Sequence, residues 1–337
     1  MRRVRLPPTL RWRGDALSGH LELLDQTLLP ARIKVLQIRT VDALVDAIRL
    51  LAVRGAPALG VAGAYGVVLA AQASRDRPRT MQALAARIRN ARPTAVNLSL
   101  GVQRALGSAD GPLREAKRMH AEDAASCLAM GRHGARMLRS GGTYLTHCNT
   151  GALATAGIGT AFAVFVMAKR AGKRFTVLAD ETRPLLQGAR LTALELAANG
   201  IPGKILPDGA AAGLMARGLV QGVFVGADRI AANGDFANKV GTYGLAVSAF
   251  AHGVPFYCVA PTTTIDPKTR EGTGIVIEER DPEEVRSFAG RSAAPRGYPA
   301  LNPAFDVTPA GLVTALVTER GVLPRPDRVK IGQLLRG

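Results

Sequence analysis

Several apolar stretches of this chain end in residues that can do chemistry. Residues 143–148 finish in Cys148 and run on to Asn149, 175–180 finish in Asp180 before Glu181-Thr182-Arg183, and 204–208 finish in Asp208. Residues 223–228 finish in Asp228, and 255–260 lead into Pro261-Thr262. Short apolar runs of this kind mark strands buried on both faces of a parallel sheet, and open α/β sheets bind their ligands outside the carboxyl ends of such strands. A single polar residue at a strand end is usually a turn or a helix cap. Their convergence from separate strands makes a shared site the expectation. A thiol and carboxyls at such strand ends are groups that can serve as a nucleophile or as a general acid or base.

A second kind of chemistry is suggested at Arg54-Gly55-Ala56-Pro57. Proline suits the first position of a helix, where its missing N–H costs nothing. The free N–H groups and positive dipole end of that helix, with Arg54 beside them, suit an anion such as phosphate. A plain helix–helix turn with a surface arginine is the other reading of the same residues. The break at Arg92-Pro93-Thr94 places a second arginine before a helix start.

Other chemistries fit less well. His147 adjoins Cys148, but neighbouring residues on a strand point to opposite faces, so adjacency makes no dyad and His147 reads as a supporting residue. Cys148 reads either as a small buried hydrophobe or as a functional thiol at a strand end. Gly157-Ile158-Gly159 lies well past its strand and has Phe162 or Ala163 where a dinucleotide fingerprint has its third glycine. No His/Cys/Asp/Glu spacing matches a zinc or calcium pattern, so neither a metal nor another cofactor is expected.

The elements that must carry these residues fall into two halves, 1–140 and 141–337. Short polar–apolar alternations up to about residue 37 predict antiparallel strands. A helix capped by Thr40 follows, with Val41, Leu44, Val45, Ile48 and Ala52 on one face. The helix from Ala56 carries Gly60, Gly63 and Gly66 on successive turns, so that another backbone can come close, and helical patterns continue over 81–91, 97–106 and 114–139. Gly141-Gly142 closes the helical half. Strand–helix alternation then predicts helices over 156–171, 186–198, 210–217 and 239–252, a Gly/Asn-rich loop after Asp228, and a last helix capped by Thr308. The fold class is α/β: a doubly wound, Rossmann-like parallel sheet behind a smaller domain of short strands and helices.

Composition narrows the function classes. The 337 residues are 47% hydrophobic and can bury a large core. The formal net charge of +18 invites nucleic acid, yet the arginines form no basic block and only 4% of residues are aromatic, so no nucleic-acid partner is expected. Three widely spaced cysteines suggest a reducing cytoplasm. The basic start lacks an apolar segment behind it and reads as no signal peptide. The uncharged run 56–74 is rich in Ala and Gly and reads as a buried helix, so no membrane association is expected.

These stretches resemble the methylthioribose-1-phosphate isomerase family, whose superfamily includes ribose-1,5-bisphosphate isomerase and regulatory subunits of a translation-initiation exchange factor. The likeness rests on Leu23-Leu24-Asp25-Gln26-Thr27-Leu28-Leu29-Pro30, Val53-Arg54-Gly55-Ala56-Pro57-Ala58, Thr146-His147-Cys148-Asn149, residues 179–190 with their Asp-Glu-Thr-Arg-Pro block, residues 226–235 with their Gly-Ala-Asp-Arg-Ile block, Asn238-Lys239, and 302–308. Asp235 and the 302–308 tail lean toward the methylthioribose branch. The resemblance implies Cys148 and Asp228 as the catalytic pair, and Arg54, Gly55, Ala56, Arg92, Gln187, Asn238 and Lys239 as substrate-binding residues. It also implies a homodimer acting in methionine salvage. One departure, Gly209-Ala210-Ala211-Ala212 after Asp208, where the family more often has Asn or Ser and then Met, leaves 5-deoxyribose 1-phosphate open as a substrate, and the superfamily leaves ribose 1,5-bisphosphate as a second alternative. A non-enzymatic sugar-phosphate sensor is the remaining alternative.

Overall fold

The computed structural model describes residues 4–75, 77–92, 94–288 and 290–336. By its internal contacts the chain forms two units, one of Val4–Leu128 with Thr150–Gly159, the other of Ala129–Asn149 with Thr160 onward. The chain pattern marks a single crossing near Gly141; the contacts place the first change of unit inside a helix and return residues 150–159 to the first unit.

In the first unit, β1 (Leu10–Arg13), β2 (His20–Leu24) and β3 (Val35–Ile38) form an antiparallel sheet. Leu10 pairs with Leu23 and Trp12 with Leu21, all buried, while Arg11 and Glu22 pair on the wet face and form a 2.7 Å ion pair. Alternation of period two therefore places one face on the core. Next comes α1 (Val41–Arg49), whose Thr40 cap accepts a hydrogen bond from the Ala43 N–H and whose Val41, Leu44, Val45 and Ile48 are buried as expected.

Buried residues occur on every side of α2 (Ala56–Ser74), whose Pro57 lies in its first turn. By length and composition α2 could cross a membrane, but 72% of its apolar window is buried inside the protein. Its glycines meet α3 (Pro78–Arg89), α4 (Val96–Leu106) and α1: a Cβ on Gly60 would lie 3.2 Å from the Asn97 carbonyl, and one on Gly66 would strike Leu44 and Ile88. The expected break before α4 is present, although Pro93 itself lies outside the described residues. The chain then enters α5 (Pro112–Ala135).

The second unit holds β4 (Thr143–Thr146), α6 (Ala161–Arg170), β5 (Thr176–Asp180), α7 (Ala193–Ala198), β6 (Gly203–Leu206), α8 (Ala211–Ala216) and β7 (Gly222–Val225). It continues through β8 (Arg229–Ala231), β9 (Phe236–Lys239), α9 (Thr242–Ala251), β10 (Phe256–Val259) and β11 (Ile265–Asp266). A four-residue helix α10 (Glu283–Arg286) and the pair β12 (Ser287–Phe288) and β13 (Arg291–Ser292) precede β14 (Phe305–Thr308), β15 (Ala315–Thr318), β16 (Gly321–Pro324) and α11 (Arg328–Arg336). The main sheet has seven strands in the order β16-β15-β10-β7-β4-β5-β6, all parallel except β16. The chain builds outward from β4 through β5 to β6, then returns to the other side of β4 for β7. The order therefore reverses between β4 and β7, which is where sheets of this kind open a crevice for ligand.

Three expectations need correction. The stretch after Asp228 is a hairpin, β8–β9, turning at Asn233-Gly234, with Gly234 at a φ of 93°; Asn-Gly is a hairpin signal that the loop reading overlooked. The helix predicted from 156 starts at Ala161, because a 3-10 turn (Ala152–Ala154) and the Gly151–Gly159 bridge use the chain before it. The last helix does not start at Thr308. Thr308 ends β14, and a 3-10 turn (Ala310–Leu312) leads into β15, whose four residues Ala315-Leu316-Val317-Thr318 are all buried in the sheet.

Candidate active site

Cys148 and Asp228 stand just beyond the carboxyl ends of β4 and β7, which pair directly in the register Leu145 with Val223. Neighbouring strands are about 4.8 Å apart, so the sheet delivers both residues to the same edge, on either side of the reversal in strand order. Asp180 ends β5, the next strand along, and Asp208 follows β6. The strand-end residues do converge on one edge.

The Cys148 turn is held in an uncommon backbone conformation. Its φ is 61°, a left-handed value that a side chain with a Cβ rarely adopts. The Cys148 N–H donates to Thr182 Oγ1 at 2.8 Å, and the Cys148 carbonyl accepts from Thr192 Oγ1 at 2.6 Å. Thr182 is left-handed itself, at φ 65°, and is fixed by its N–H to Asp208 at 2.7 Å and its hydroxyl to the Asp180 carbonyl at 3.0 Å. Leu186 is the third such residue in this neighbourhood, at φ 58°. Each left-handed residue of this kind costs on the order of 1–3 kcal/mol and persists only where its surroundings over-determine it. Here two hydroxyls and a carboxylate do so, and Cys148 is left only 8% exposed.

The Asp-Glu-Thr-Arg-Pro block explains the next contact. After β5 the chain folds back so tightly that a Cβ at Gly188 would lie 1.6 Å from the Asp180 carbonyl. This puts Gln187 at the head of a π turn (Gly188–Thr192) that runs into α7. Such turns recur at functional sites. Gln187 is buried, and among the described residues its Oε1 accepts no hydrogen bond. Asn149 is held by Glu195 at 2.6 Å and Thr192 at 3.2 Å.

The hairpin positions the other candidates. Asp228 donates its N–H to the Ala237 carbonyl at 2.9 Å and is half-buried. Asn238 and Lys239 end β9 and are buried. Asn238 donates to Thr242 Oγ1 at 2.9 Å, while the Lys239 ammonium donates to the Ala304 carbonyl at 2.6 Å and lies 4.7 Å from the Phe305 ring centre. A buried ammonium is thus stabilised by a carbonyl and an aromatic face.

His147 Nδ1 lies 3.0 Å from Asp180 Oδ2 and Nε2 lies 2.8 Å from the Val240 carbonyl. His147, Asp180 and Asp208 bring ligand-type atoms within 4.8 Å of one another. Both imidazole nitrogens are committed to protein partners, however, and both Asp208 oxygens accept backbone N–H groups, from Thr182 and Arg183. The cluster is an internal hydrogen-bond network, and its residues do not fit a metal ion.

Arg54, Gly55, Ala56 and Arg92 belong to the first unit. Arg54 Nε donates to Gln26 Oε1 at 3.2 Å, and Gln26 in turn donates to the Leu153 carbonyl at 2.7 Å. Gly55 caps α2 at φ 90°, where a Cβ would lie 2.5 Å from the Ala154 carbonyl. The first turn of α2 contains no acidic side chain and its cap makes no side-chain hydrogen bond. An arginine oriented by a buried glutamine beside an uncapped helix start is an arrangement suited to an anion. Sequence reading did not single out Gln26, Thr182 and Thr192. Each supports a candidate through one hydroxyl or amide, a role with no spacing signature.

Comparison with known proteins shows the family to which the chain belongs. Residues 52–325 match the family described as the initiation factor 2 subunit family. The chain is 52% identical over 333 residues to a methylthioribose-1-phosphate isomerase of Gemmatimonas aurantiaca, covering 95% of this chain and 94% of the relative. It is 49% identical over 346 residues to a 5-deoxyribose 1-phosphate isomerase of Moorella thermoacetica, covering 97% of this chain and 97% of that one. Its fold is similar to the crystal structure of 5-methylthioribose 1-phosphate isomerase from Pyrococcus horikoshii, with a TM-score of 0.88, 40% identity, and coverage of 98% of this chain and 96% of that one. On a match spanning most of its length and on relatives near half identity, the chain belongs to the initiation factor 2 subunit family.

Proposed function

We propose that this protein is an aldose–ketose isomerase that converts 5-methylthioribose 1-phosphate to 5-methylthioribulose 1-phosphate in methionine salvage. The observation that carries the reading is the placement of Cys148 and Asp228 on adjoining strand ends at the reversal of a parallel sheet, in a chain about half identical to isomerases of this class. The C1 carbon of the substrate carries a phosphate ester, so opening the ring frees no aldehyde. Asp228 protonates the ring oxygen as the C1–O bond breaks, giving an oxocarbenium-like C1 and a C4 hydroxyl. The C2 hydrogen then moves to C1, as a hydride or as a proton by way of an enol phosphate, and the 2-hydroxyl proton leaves to restore the acid. Cys148 acts at the C1/C2 edge, as base on the proton route or as a transition-state stabiliser on the hydride route. Arg54, the α2 start at Gly55 and Ala56, and Arg92 bind the phosphate, while Gln187, Asn238 and Lys239 hold the sugar hydroxyls.

Purified protein offered the methylthio, 5-deoxy and 1,5-bisphosphate sugars in parallel should turn over the methylthio sugar with the highest kcat/KM. A preference for the deoxy sugar would assign the substrate of the Moorella relative. A preference for the bisphosphate would assign the bisphosphate branch, and no turnover of any would leave a binding role. Two further parts of the reading are a cytoplasmic compartment, in keeping with three buried cysteines that form no disulfide, and a homodimer. The dimer is suggested by the exposed apolar residues Tyr243, Val247 and Phe250 along α9. Analytical ultracentrifugation should give the mass of two chains for the parent and of one for Phe250→Arg; a monomeric parent would remove the dimer.

A further inference from the structure

The residue before Cys148 links two of the turns that the proposed reaction uses. His147 reaches Asp180, at the end of β5, with Nδ1 and the carbonyl of Val240, the residue after Lys239, with Nε2. Its ring is also pressed against Gly241, where a Cβ would lie 2.8 Å from Cε1 and 3.0 Å from Nε2. Gly241 is the cap of α9, at φ 104°, and donates its N–H to Asp306 at 2.7 Å. The side chain is therefore in contact with the ends of β5 and β9 and the start of α9, while its own backbone leads directly into Cys148.

We propose that His147 is a positioning residue for this isomerisation: its imidazole, protonated on both nitrogens, fixes the Cys148 turn against the Asn238–Gly241 turn. This rests on the isomerase reading. A carbonyl oxygen only accepts, so the Val240 contact places a hydrogen on Nε2, and the Asp180 carboxylate receives the one on Nδ1. The charged groups around the ring favour the cation. Among the described residues the carboxyls that act with the ring are Asp180 on β5, Asp208 after β6 and Asp306 on β14; burial raises Asp180 and Asp306 while the His147 charge lowers both, and the Lys239 ammonium on β9 acts on Asp306. Burial by itself pushes His147 down, but the hydrogen bond and charge of Asp180, the Val240 carbonyl and the Asp208 charge outweigh it and hold it above the ordinary histidine value. Positioning of this kind acts on rate because a displacement of about 1 Å at the reacting atoms costs on the order of 100-fold.

The test has a substrate-free arm and a kinetic arm. Nitrogen-15 NMR of the full chain with labelled histidine, followed through a pH titration, should show one ring, absent from His147→Gln, that keeps both nitrogens protonated above the pH at which free histidine loses its second proton. A neutral tautomer there would overturn the proposal. His147→Gln, which keeps a donor for Val240 but loses the reach to Asp180, should lower kcat about 100-fold while KM moves less than about fivefold. Gly241→Ala, which crowds the ring and also strains the turn backbone at φ 104°, should act in the same direction and serves if His147→Gln fails to fold. Turnover within about twofold of the parent in either folded variant would reject positioning. A parent that isomerises none of the sugars would refute the functional reading, and the NMR arm would still report on His147 independently.

Discussion

Thr182 shows how much of the site depends on single atoms. Its hydroxyl accepts the Cys148 N–H and donates to the Asp180 carbonyl, so one oxygen joins the ends of β4 and β5. Thr182→Val keeps the shape and removes both bonds. It should destabilise the protein by about 1–3 kcal/mol in urea unfolding, the usual cost of leaving a buried donor unmade, and lower kcat at the same time by releasing the left-handed Cys148. Unchanged stability and kcat would show that the turn holds itself. The buried imidazole makes a prediction about pH. His147 titrates above the ordinary histidine value in the folded protein, so the folded state binds the extra proton more tightly than the unfolded chain. Its contribution to stability is full below about pH 6.5, the unfolded value, and is lost as pH rises through the folded one. Melting temperature should therefore fall more steeply above pH 6.5 in the parent than in His147→Gln; parallel slopes would contradict the pairing. The sequence placed Cys148 and Asp228 at strand ends because hydrophobic runs end visibly. It gave no hint that Cys148 sits at positive φ, since its partners Thr182 and Thr192 are far along the chain.

At the scale of elements, the glycines of α2 act as the spacing implied. The backbones of α2 and α4 approach so closely that a Cβ on Gly101 would lie 2.0 Å from the Gly60 carbonyl. Gly101→Ala must push the helices apart, and strain of that kind costs about 1–3 kcal/mol. Chemical denaturation should read that loss; a neutral substitution would mean that the contact is looser than the backbone positions imply. The sheet strands were legible within one to three residues at most ends, because a buried parallel strand has a distinct composition. The β8–β9 hairpin was not, although Asn233-Gly234 marks its turn. Its strands are only three and four residues long, and Asp235, whose carboxylate holds the Gly272 and Ala310 N–H groups, made the stretch resemble a polar loop. The misplaced final helix has a comparable cause. Thr308-Pro309 is a good helix start in isolation, but Ala315–Thr318 extends the main sheet beside β10 instead, and tertiary pairing overrides a local signal.

For the whole molecule, the net charge of +18 is the excess of 44 Lys and Arg over 26 Asp and Glu, and some of those arginines are committed inside the protein. Arginines such as Arg104, Arg280 and Arg11 are tied to glutamates within the protein, at 2.5 Å for Arg104–Glu115 and Arg280–Glu284 and 2.7 Å for Arg11–Glu22. The functional reading depends on what the fold does with two residues eighty positions apart in the chain, as parallel pairing of β4 with β7 carries both to one edge. The decisive measurement is turnover of 5-methylthioribose 1-phosphate by the parent, Cys148→Ser and Asp228→Asn, with circular dichroism confirming that all three fold alike. The account predicts a competent parent and a loss of at least about 1,000-fold in kcat for each variant, as expected when a group acting on the reacting atoms is removed. A folded Cys148→Ser or Asp228→Asn that keeps the parent's rate would contradict it.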